Sequence, residues 1–85
     1  MSTYYKLICE DHEERVCAAS RTAGGWGCFA DSGITLIPFI IAHRDCHVRI
    51  ISENDEEWYS DSYRDWTSDG VEAEVDRARV DGRWE

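Results

Sequence analysis

The sequence predicts a small α+β domain in the order β-β-α-β, followed by an acidic, helical C-terminal segment. Three observations carry that reading. YYKLIC (4–9) and RVCAAS (15–20) are β-prone runs split by the charged EDHEE, the pattern of a hairpin with a loop longer than two residues. Between Ile34 and His47, Leu36, Phe39, Ile40 and His43 fall at helical spacing. VRIIS (48–52) follows at once as a third strand, with Val48 and Ile50 on one face.

The remaining stretches are read in the same way. TAGGWGCFADSG (22–33) is glycine-rich and reads as loop. Pro38 fits the first turn of the helix, where its missing N–H does no harm. In NDEEWYSDSYRDW (54–66), Tyr59, Tyr63 and Trp66 have the spacing of one helical face. Asp69 followed by Glu72 resembles a helix start, with Val71, Val75 and Ala78 as its buried stripe. VEAEV also alternates strictly, a strand pattern; helix is the preferred reading. The whole is taken as one domain, residues 1–85, with a ββαβ core over 1–52 and the acidic segment over 53–85.

A chain of 85 residues has a small core, and such chains commonly lean on a metal, disulfides or oligomerisation. The formal charge of −9 is concentrated: residues 1–52 carry a net −1 and residues 53–85 a net −8. That surface disfavours direct contact with nucleic acid or anionic lipid and suits a basic partner. The start, MSTYYKLICEDHEE, lacks a basic region followed by an apolar one, and the longest apolar run is too short to span a membrane. A cytoplasmic protein is expected. There the four cysteines, which form no C-x-x-C pair, are thiols or metal ligands; two disulfides are the alternative for a secreted chain.

Cys9 and His12 stand three apart at a strand end, where a tight knuckle presents two ligands to one point. In a helix, His43 and His47 lie one turn apart on one face. Together they make four N/S ligands, the donor set of a closed structural Zn²⁺ site tying hairpin to helix. Cys46 competes with His47, and Cys17 or Cys28 with His12. The plainer alternative makes His43 a partner of the helix dipole and the cysteines ordinary core residues.

With Cys9, His12, Phe39, His43, His47, the strand VRIIS and Glu53 in this order, residues 4–53 resemble small phage-type zinc-knuckle proteins. Their pattern is a C-x-x-C/H hairpin followed by an F-x-x-x-H-x-x-x-H helix. The chain departs from it in having histidine at position 12 and thirty residues between the ligand pairs. The resemblance implies a zinc-stapled fold and leaves its partner open.

No nucleophile motif, phosphate-cradling loop or H-E-x-x-H is present, so a binding role is expected rather than an enzyme. Asp55, Glu56, Glu57, Asp61, Asp65 and Asp69 would supply electrostatic contacts, with Trp58 and Trp66 as anchors. Small size and acidity together are similar to phage-encoded anti-CRISPR or anti-restriction inhibitors, which implies a nucleic-acid mimic seated on the basic surface of a host defence complex. The alternative is a zinc-stapled adaptor that binds another protein without mimicry. In the plainest reading the acids serve solubility and the tryptophans cap the core.

Overall fold

Apolar residues alternate along β1 (Thr3–Cys9) so that Leu7 and Cys9 face one way and Lys6 and Ile8 the other. In the computed structural model, which describes residues 3–27 and 32–84, β1 pairs antiparallel with β2 (Glu14–Thr22) across the loop 10–13. Glu13 closes that loop at a φ of 54°, a left-handed backbone uncommon for a residue with a side chain. β4 (Val48–Ser52) pairs antiparallel with the other side of β1. The expected hairpin and third strand are thus present and adjacent in one sheet.

Two short strands share the outer edge of β2. β3 (Gly25–Gly27) pairs antiparallel with its C-terminal end, and β5 (Arg64–Trp66) pairs parallel with Glu14 to Val16. Both stretches were expected to lie outside strands, Gly25–Gly27 in a loop and Trp66 on a helical face. A single 3₁₀ turn, Glu56–Tyr59, is the helical part of that latter stretch. Three-residue strands exist through their ladder partners, and their own sequences carry no period to read.

Helix α1 spans Ser32–Ala42 and α2 spans Val71–Val80. The expectation of helix over VEAEV holds, and Val71 and Ala78 are buried with Val75 packed beside them. Gly70 rather than Asp69 occupies the cap of α2. Pro38 lies inside α1 rather than in its first turn, because the helix begins at Ser32. The helix also stops at Ala42, and a turn follows in which the Cys46 N–H donates to the His43 carbonyl at 3.0 Å.

Both helices cover one face of the sheet. There Cys9, Val16 and Trp66 pack with Phe39, Ala42, Val71 and Ala78. Phe39 meets the Trp66 ring edge-on at 5.4 Å between centroids. The opposite face carries Lys6, Ile8, Arg15 and Ile51, all buried, with Trp58 and Tyr63 laid over the two cations.

Candidate metal centre

Three elements meet where the first hairpin turns. Cys9 is the buried last residue of β1, His12 sits in the loop that follows, and Cys46 lies in the turn after α1. His12 Nδ1 is 3.4 Å from Cys9 Sγ and 3.4 Å from Cys46 Sγ, and all three ligand atoms lie within 4.8 Å of one another. In a tetrahedral zinc site with ordinary bond lengths, sulfur and nitrogen ligands stand about 3.6 Å apart. Two edges of that tetrahedron are therefore already in place. Two thiols and one imidazole are also the donor set that selects zinc among common divalent ions.

Protonation is part of the site's chemistry. Burial, with the Arg83 and His43 charges, lowers the His12 pKa below its ordinary value and favours the neutral ring that a metal requires. Burial and the neighbouring Cys9 thiol push Cys46 up to about 11, so an arriving ion must displace its proton.

Of the four residues singled out as ligands, the structure brings Cys9 and His12 together and joins them to Cys46. His43 is close, its ring 5.5 Å from that of His12, but it is otherwise engaged. Its Nδ1 donates to the Phe39 carbonyl at 2.7 Å and its Nε2 donates to Glu14 Oε1 at 2.6 Å. Arg83 Nη1 also lies 3.1 Å from Nε2, so both ring nitrogens are already engaged by protein groups. The ring stacks on Phe39 and is fully enclosed. Because α1 ends at Ala42, His47 is not one helical turn above His43; its backbone N–H faces Asp11 at 3.5 Å, and its side chain is outside the cluster. Cys17 lies on the far face of the sheet, opposite Lys6, and Cys28 lies outside the described residues.

The buried carboxylate of Glu14 organises the base of the site. It accepts from His43 and Arg64, and from Arg83 Nη1 at 3.2 Å. Burial alone would raise its pKa; the His43 hydrogen bond and the Arg83 charge outweigh that and hold it at about 2. Arg64 also reaches Glu74 at 2.8 Å, which ties β5 to α2. No periodicity marks Glu14, Arg64 and Arg83 as a group, since they are 50 and 19 positions apart.

The residues expected to bind a partner divide into two sets. Asp65 accepts from Arg15 Nε at 2.8 Å and lies 3.3 Å from Lys6, while Glu57 pairs with Arg49. Asp55 accepts from the Ser52 N–H at 2.7 Å, and Trp58 lies over Lys6 at 4.4 Å. Trp66 is buried in the core. Glu56, Asp61 and Asp69 are exposed and form no ion pair among the described residues.

Comparisons with protein-family models, curated proteins and solved structures give no match. The resemblance to phage-type zinc-knuckle proteins is therefore carried by the residues alone, and nothing ties the chain to anti-CRISPR or anti-restriction families. No helix among the described residues is long and apolar enough to cross a membrane.

Proposed function

We propose that the chain is a non-catalytic protein-interaction module whose small core is stapled by Zn²⁺ held by Cys9, His12 and Cys46. The observation that supports this most directly is the convergence of two thiols and an imidazole from the β1–β2 loop and the turn after α1. An ion there cross-links segments 34 residues apart in sequence, a constraint that a small core otherwise lacks. A tetrahedral ion takes its fourth ligand from outside these three residues. Metal analysis of protein purified without added zinc tests the reading. One zinc per chain, retained in His47→Ala and lost in Cys46→Ser, is the expected result. A metal-free protein that unfolds cooperatively, with a melting temperature unmoved by chelator or by Zn²⁺, overturns it.

The finer reading, an acidic mimic in the basic nucleic-acid groove of a host defence complex, draws support from the free carboxylates of Glu56, Asp61 and Asp69. Internal pairing of Asp65 and Glu57 leaves that surface less charge than the sequence offers, so the adaptor reading is better supported. Charge reversal of the three free acids separates the two. Under mimicry it abolishes partner capture from bacterial lysate, and the wild-type capture weakens steeply with salt. An adaptor keeps its partner in both conditions and loses it when zinc is stripped.

A further inference from the structure

Helix α1, SGITLIPFIIA, contains no charged residue. Thr35, Phe39 and Ala42 point into the core, yet the opposite side of the same helix is aliphatic too. Ile34, Ile37, Ile40 and Ile41 are each between 37% and 58% exposed. A helix that is apolar all round belongs in an interior, and here half of it has none.

The patch continues onto the sheet. Ile40 and Val48 line one cavity together with Leu7. Val48 and Ile50 project from the same side of β4, which is an edge strand, and Ile50 is 70% exposed. The run from Ile34 to Ile50 displays about 500 Å² of aliphatic surface, near the top of the range of roughly 300–600 Å² for the largest patch on a monomer.

We infer that this face is a homodimer interface, occupied by the same face of a second copy of the chain. Three features select that occupant. A standard interface buries about 800 Å² on each partner, somewhat over half of it apolar, and the patch supplies that apolar part. Glu72, Asp76 and Arg79 stand beside Ile34 and Arg44 beside Ile40, so the apolar centre has a rim of both charge signs, which a two-fold axis can set against each other. A membrane is a poor occupant, because the net charge of −9 opposes anionic headgroups. A small core also gains what it lacks when two chains share one.

The inference stands apart from the metal, and the test keeps the two separate. Sedimentation equilibrium of the full chain, up to about 100 µM, is expected to give twice the chain mass, with a melting temperature that rises with concentration. Ile37→Glu and Ile37→Lys, at a position 58% exposed, are each expected to weaken dimerisation at least tenfold while the monomer stays folded. Ile50→Lys repeats the test from the strand side. A wild-type monomer throughout that range overturns the inference, whether or not it pellets with neutral lipid vesicles. So does a dimer that all three variants leave intact, or one that only Ile37→Glu dissociates, since added negative charge would then be the cause.

Discussion

Two neighbouring rungs of the β2–β5 ladder carry the same chemistry with opposite polarity. Glu14 on β2 stands opposite Arg64 on β5, and at the next position Arg15 on β2 stands opposite Asp65 on β5. Successive residues of a strand face opposite ways, so the first ion pair lies under the helices and the second on the far side of the sheet. A slip of one residue would set Glu14 against Asp65 or Arg15 against Arg64, with like charges face to face. The inverted pair thus specifies the register of a strand too short to specify it by hydrophobic pattern. The rungs differ in burial: the Glu14 side chain is 1% exposed and that of Asp65 is 41% exposed. One charge code is therefore written twice, once in the interior and once near water, and the two copies should differ in weight.

The largest effect is expected at the interior rung. Glu14→Gln leaves His43, Arg64 and Arg83 without their shared counter-charge, and breaking a buried ion pair from one side costs roughly 3–5 kcal/mol. Urea unfolding at neutral pH measures this directly. Acid provides an independent route to the same carboxylate. Its folded pKa of about 2 lies below the ordinary 4.5, so its contribution is complete above pH 4.5 and is lost as pH falls through about 2. The shift corresponds to about 3 kcal/mol. Stability measured at steps across that window should fall by this amount, and the Glu14→Gln variant should show a flatter profile. A variant that retains the full acid slope would assign the loss to other carboxylates and remove Glu14 from the centre of the network.

This network also marks the limit of what the sequence discloses. The hairpin, α1, β4 and α2 were legible because each is long enough to show a period or a run. The β1–β2 knuckle was legible because Cys9 and His12 sit three apart at a strand end. The partner from the other side of the cluster was harder. His43 and His47 have metal-ligand spacing only if the helix continues, and it stops at Ala42. Cys46, set beside His47 as its rival, then turns back toward His12. What engages His43 is Glu14, 29 positions earlier, through a contact created by packing α1 on β2. Likewise, Asp65 and Trp66 looked alike as surface candidates, whereas the ladder turns one toward Arg15 and the other into the core.

The outer rung sharpens the comparison at lower amplitude. Burial pushes the Asp65 pKa upward, but the hydrogen bond from Arg15 and the Lys6 charge prevail and leave it lowered. With 41% of the side chain exposed, water screens those charges, and Asp65→Asn is expected to cost about 1 kcal/mol. Its contribution is present above the ordinary carboxyl range and lost as pH falls through the lowered value, the same sign as for Glu14. Denaturation midpoints of the two single variants and the double variant test the weighting. An Asp65→Asn cost equal to that of Glu14→Gln would mean that burial does not set the difference between the rungs.

The smallest effect is expected at the opposite edge of the sheet. On the same face as Asp65, Arg49 of β4 joins Glu10 at 2.8 Å and also pairs with Glu57. The pairing lowers the Glu57 pKa and raises that of Arg49, so by contacts alone this site resembles the inner ones. All three side chains are open to solvent, however, and the entropy of holding long side chains in place offsets a screened attraction. Arg49→Ala is expected to leave the denaturation midpoint unchanged within error at moderate salt, with any loss confined to low ionic strength. Arg15 keeps its 2.5 Å hydrogen bond to the Glu57 carbonyl in that variant, so the 3₁₀ turn remains fastened from beneath. A clear destabilisation that persists at high salt would show that the turn is held by its rim, and the gradient from interior to edge would then fail at its outer end.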